Sequence, residues 1–88
     1  MAIRWFANRR AAREPSILIG DPRLDDWETV SIFDEQTTAL AWRDRLREMG
    51  LDAACAADHS LDRFGRGEVY LVVPPGQWSR ANEIVENL

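Results

Sequence analysis

The sequence predicts an α+β fold in which two helices lie over one face of a single small sheet. Three observations carry that prediction. Residues 27–33 and 68–73 are dense in β-branched and aromatic side chains, as strands are. Residues 36–49 and 77–88 repeat apolar side chains at spacings of three and four, as amphipathic helices do. The order strand, helix, strand, strand, helix then brings both helices to one side, because parallel crossovers are right-handed.

Each element has its own signals. In residues 27–33, Val30 and Ile32 share a face and Phe33 stands at the exit. Asp34 is the expected N-cap of the first helix, and Glu35 favours its first turn. Ala39, Trp42, Leu46 and Met49 form the helix's apolar stripe, and Gly50 is its left-handed stop. Residues 51–57 are rich in alanine, which favours helix. They follow a helix stop, however, and Leu51, Ala53, Cys55 and Ala57 alternate, so a strand is expected. Residues 68–73 form a continuous apolar run suited to a central strand, ended by Pro74-Pro75-Gly76. Trp78, Ala81, Ile84 or Val85, and Leu88 mark the buried side of the second helix. Together these elements make a ferredoxin-like set short of its last strand. The strand set is therefore either incomplete or completed from the N-terminal side. A short strand at residues 17–19, turning at Gly20-Asp21-Pro22, is the expected neighbour for the uncovered edge of strand 27–33. A strand from a second subunit is the alternative.

The chain divides into a basic N-terminal extension with an acidic linker, residues 1–26, and a compact ferredoxin-like domain, residues 27–88. Eighty-eight residues with 45% hydrophobic and 30% charged content suit one folded domain. A net charge of −4 makes bulk attraction to nucleic acid a poor default; the arginines at 4, 9, 10 and 13 are the only local exception. Residues 1–15 fit three forms: a frayed extension, a short docked helix, or an anchor on a membrane or acidic partner. Residues 21–35 carry six acids against Arg23, a complementary charge. The single cysteine, Cys55, excludes an internal disulfide and suits a reducing, cytoplasmic setting. No membrane span is expected.

Ile32-Phe33-Asp34, the Leu46-Arg47-Glu48-Met49-Gly50-Leu51 helix exit, and Tyr70-Leu71-Val72-Val73-Pro74 before the final helix resemble small bacterial signal-transducing domains. These are related in fold to the PII nitrogen-signalling proteins. The resemblance covers roughly residues 28–88 and implies a ferredoxin-like fold with a role in interaction or sensing. PII proteins bind nucleotides between subunits through long loops, and no comparable loop or matching residue carries nucleotide binding over to this chain.

Polar chemistry concentrates in Asp58-His59-Ser60-Leu61-Asp62-Arg63-Phe64-Gly65-Arg66-Gly67. A Ser–His–Asp relay needs an ordered bond chain and an oxyanion site, which adjacent Ser60 and His59 do not supply. Cys55 and His59 are too few for zinc. His59, Arg63 and Arg66 are instead candidate ligand-binding residues for a small anion, set against an ordinary polar turn. Trp5, Phe6 and Trp27 are candidate interface residues. No catalytic residue, metal or cofactor is expected. The expectation is a non-enzymatic interaction or sensing module, self-associating through a sheet edge or helix face or binding a protein partner. A small-anion or ligand-processing domain built on loop 58–67 is the alternative.

Overall fold

The computed structural model describes residues 17–87. Along the chain come β1 (Leu18–Ile19), a 3₁₀ turn (Pro22–Leu24), β2 (Glu28–Glu35), α1 (Gln36–Glu48), β3 (Ala54–Ala57), β4 (Arg66–Val73) and α2 (Trp78–Glu86). The sheet order is β1-β3-β4-β2, with β4 antiparallel to both neighbours and β1 parallel to β3. This is a mixed, open sheet flanked by two helices in a ferredoxin-like arrangement. As its apolar run predicts, β4 is central.

The core is the seam between helices and sheet. Val69, Leu71 and Val73 alternate along β4 toward the helices and are fully buried. Ala53, Cys55 and Ala57 do the same beside them, and Ala39, Leu46 and Ala81 close the seam from above. Small residues in β3 let α1 approach closely: the Cys55 thiol donates to the Ala39 carbonyl at 3.3 Å.

The Leu46-to-Leu51 exit has a clear physical origin. Leu51 N–H donates to the Leu46 carbonyl and Gly50 N–H to the Arg47 carbonyl, each at 3.0 Å. This paired closure needs a left-handed residue, and Gly50 has φ +90°. It also folds Leu51 back against the core that holds Leu46. β3 begins later than residue 51 because the exit is bonded elsewhere. Asp52 N–H donates to Gln77 Oε1 at 2.9 Å, and the Ala53 carbonyl accepts from Arg47 Nε at 2.9 Å.

Four expectations are corrected. Asp34 does not cap α1. The β2–β4 ladder runs on to Glu35 opposite Arg66, and Gln36 N–H donates to the Gly65 carbonyl, so Asp34 stays in the strand and Glu35 takes the cap position. Met49 lies past the helix end and is 44% exposed, so it leaves the stripe. Trp78 is 37% exposed; opening α2, it reaches sideways, and its indole N–H donates to the Thr29 carbonyl at 2.9 Å. Trp42 does pack partly buried against the core.

The largest correction concerns β1, which does not cover the edge of β2. Leu18 and Ile19 pair with Ala56 and Ala57 at the opposite side of the sheet. The parallel β1–β3 pair buries Ile17 in the core cluster, which an edge position beside acidic β2 would not offer. Among the described residues, β2 is therefore paired on its β4 side only. Leu88, expected on the second helix's buried side, lies outside the described residues.

Candidate functional site

Loop 58–67 is built around Asp62. Its Oδ1 accepts the backbone N–H groups of Phe64 and Arg66, each at 2.8 Å. Its own N–H donates to the Arg66 carbonyl at 3.0 Å, and its carbonyl accepts from Gly65 N–H at 2.9 Å. An aspartate that bonds the backbone two and four residues ahead organises a tight turn. Gly65, at φ +74°, is buried where the turn meets α1, and Gln36 N–H donates to its carbonyl at 2.9 Å. The N–H groups of Phe64, Gly65 and Arg66 are thus used to hold the turn.

The three candidate ligand residues fall in different surroundings. His59 borders a recess of about 230 Å³ with Asp58, Ser60, Leu61, Gly67, Glu68 and Tyr70. Arg66 borders another, with Ile32, Phe33, Asp34, Glu35, Gly67 and Glu68. Arg63 borders neither, and its guanidinium lies 5.1 Å from the ring centroid of exposed Phe64. Carboxylates, which repel an anion, face both His59 and Arg66. Among the described residues no group of three or more His, Cys, Asp and Glu side chains is placed to hold a metal ion.

One polar cluster escaped the sequence reading. The Tyr70 hydroxyl hydrogen-bonds to Glu68 Oε1 and lies 3.3 Å from Asp58 Oδ2. Its signal was the two-residue period of β4, which places Glu68 and Tyr70 on one face, away from the core. The Glu68 carboxylate accepting this bond, with Asp58 nearby, pushes Tyr70 up to about 12. Because the folded state holds this proton more tightly than an unfolded chain does, stability falls as pH rises from about 10 toward 12. Tyr70 is the only tyrosine. Ultraviolet titration should place its ionisation near 12 in the wild type, and Glu68→Ala should move the midpoint back toward 10. An ordinary midpoint of about 10 in the folded wild type would remove the bond from the account.

Cys55 is a buried thiol. Burial pushes its thiol up to about 11, so it stays protonated at neutral pH. Asp21 shows the reverse effect: Arg23 bonds it at 2.6 Å and holds its carboxyl below the usual range.

Of the interface candidates, Trp27 is half-buried and lines a recess of about 590 Å³ with Leu18, Leu24, Leu51 and Ala54. Trp5 and Phe6 lie outside the described residues.

The open edge of β2 is the remaining feature. Its pairing with β4 is irregular between Thr29 and Ser31 and again between Phe33 and Glu35, the mark of bulges. Trp78 donates to the Thr29 carbonyl, and among the described residues the stretch 30–35 has no strand beside it on the side away from β4. Ile32 stands 55% exposed there. The strand carries Glu28, Asp34 and Glu35 and no basic residue. Ile32 to Glu35 also border, with Arg66 to Glu68, the broad shallow recess of about 1020 Å³ that receives Arg66. No family model matches this chain, and no curated protein or solved structure matches it either.

Proposed function

We propose that this chain is a non-enzymatic protein-interaction module that receives an extended segment along the free edge of β2. The observation that supports it is a strand of eight residues at the side of the sheet, bonded to β4 alone among the described residues. Such an edge offers main-chain donors and acceptors in register, and alternate side chains of the incoming strand read the flanking surface. Exposed Ile32 provides an apolar contact, and the shallow recess beside it gives neighbouring side chains room. The resemblance to signal-transducing domains fits a module that works by docking. Among the described residues no helix is long and apolar enough to cross a membrane.

A displayed library of random decapeptides, panned against the full chain immobilised sparsely enough to stay monomeric, tests this reading. Enriched peptides should be β-favouring and basic, and should lose binding to an Ile32→Asp variant that keeps its circular dichroism spectrum. Failure to enrich any peptide, or peptides indifferent to Ile32→Asp, would overturn it. The loop 58–67 reading gains no comparable support, because His59, Arg63 and Arg66 do not share a recess.

A further inference from the structure

We propose that the recess beside Trp27 binds a small aromatic carboxylate. Arg47 holds the acid group, and Trp27 with its leucine neighbours holds the ring.

The recess follows from the topology. β1 and β2 stand at opposite sides of the sheet, so the connection between them, residues 20–27, must pass from one side to the other. Ile17 and Cys55 belong to the core, and side chains alternate along a strand, so Leu18 and Ala54 face away from the helices. Leu24 and Trp27 of the connection meet them there, and Arg47 with the exit of α1 supplies the other wall. Gly50, Ala53 and Ala54 present little side chain and leave a space of about 590 Å³ between the walls. Small-molecule sites occupy roughly 300–1,000 Å³.

Charge sets this recess apart from the two bordered by His59 and Arg66. The first of those carries Asp58 and Glu68, and the second Asp34, Glu35 and Glu68. Here Arg23 and Arg47 stand against Asp52 alone. In a chain of net charge −4, an anion meets less repulsion at this recess than at either of the others.

The two arginines have different roles. Arg23 is committed to Asp21, which accepts from its Nε at 3.1 Å and its Nη2 at 2.6 Å. Arg47 enters no salt bridge among the described residues. Its Nε donates to the Ala53 carbonyl at 2.9 Å, which fixes the guanidinium at the wall and leaves the Nη groups for an incoming carboxylate. A planar guanidinium suits that partner, because two parallel N–H groups match two carboxylate oxygens. Asp52 is drawn off toward Gln77, outside the recess: its Oδ2 accepts from Gln77 Nε2 at 3.2 Å, and its N–H donates to Gln77 Oε1 at 2.9 Å.

The apolar lining sets the rest of the ligand. Trp27 is half-buried, as are Leu18 and Leu24, so the wall is largely in place before a ligand arrives. An indole beside aliphatic side chains favours a flat apolar ring, and an ordered wall lowers the entropic cost of binding. Residues 30–35 do not line this recess, so the site is separate from the β2 edge.

Amide proton–nitrogen correlation spectra of the full 88-residue chain test the site, titrated with cinnamate and separately with cinnamamide, its uncharged counterpart. Cinnamate should bind with a low-millimolar dissociation constant or tighter, as its size allows. Its shifts should gather at Leu18, Leu24, Trp27, Arg47 and residues 50–54. Cinnamamide should move the same amides but bind about tenfold more weakly, for want of the charge-assisted bond. Arg47→Gln should bring cinnamate down to the affinity of cinnamamide, and Trp27→Leu should weaken both probes about threefold or more.

No saturable shift up to about 20 mM cinnamate would overturn the site, and so would shifts that gather elsewhere. Equal affinity for the two probes, or a preference that survives Arg47→Gln, would remove the carboxylate from it. The two probes are compared on the wild-type chain, so a variant that fails to fold leaves that comparison decisive. The docking role at β2 stands or falls separately, by the peptide selection.

Discussion

Leu46→Ala should lower the unfolding free energy by about 2–5 kcal/mol, the usual cost of emptying a fully buried leucine site. Leu46 is 0% exposed and serves twice. Its side chain fills the seam between α1 and the sheet, and its carbonyl takes the Leu51 N–H that closes the helix. Domains of this size are stable by only about 5–15 kcal/mol in total, so one substitution threatens the fold. Urea unfolding followed by tryptophan fluorescence reads the change as a midpoint lowered by about 1–5 M, given slopes of about 1–2 kcal/mol per M. Met49→Ala, three residues on, should stay within about 0.5 kcal/mol of wild type, because that residue is 44% exposed and lies past the helix end. Equal effects at the two positions would mean that the helix is rotated from the orientation described.

Gly65→Val should cost about 2–4 kcal/mol, although the residue lies in a polar loop. Two separate penalties add there. The backbone sits at φ +74°, where a side chain costs about 1–2 kcal/mol and a β-branched one more. A Cβ would also stand 2.8 Å from Gln36 Nε2 and 2.9 Å from Gln36 Cγ. Gly65→Ala combined with Gln36→Ala separates these penalties. The double variant should recover the contact part and retain the backbone part, a non-additivity of about 0.5 kcal/mol or more. Strict additivity would place all the cost in the backbone. No cost at either level would contradict the buried junction of turn and helix.

The helices and the central strand were legible because their signals are local. A stripe at three-and-four spacing, a glycine stop and a run of β-branched residues each declare themselves within a few turns of chain. The Leu46, Gly50 and Leu51 pattern even encoded its hydrogen bonds. What local pattern did not reveal was pairing. Residues 17–19 read as a strand, but nothing in Ile-Leu-Ile says which edge accepts it. The choice follows from Ile17 finding the apolar core beside β3. Asp34 misled for a related reason: capping propensity was outweighed by two more rungs of ladder to β4. Trp78 was assigned to the core by its position on the helical stripe. An indole at the first turn can instead turn aside to bond a strand carbonyl.

The candidate site was less legible than the fold. Loop 58–67 stood out by composition, and composition alone did not separate a turn organised by Asp62 from an anion site. Strand period sets Glu68 and Tyr70 on one face, but Asp58 joins them from twelve residues away, a contact that no local pattern announces. The free edge of β2 was expected as a deficiency of the strand set, yet its persistence depended on β1 pairing elsewhere.

Residue-resolved amide exchange on the full chain, with and without a peptide enriched by panning, tests the docking role most directly. The account predicts that added protection gathers in residues 30–35, while the amides of β1 and of loop 58–67 keep their unliganded rates. Protection appearing at β1 or around His59, with residues 30–35 unchanged, would contradict it.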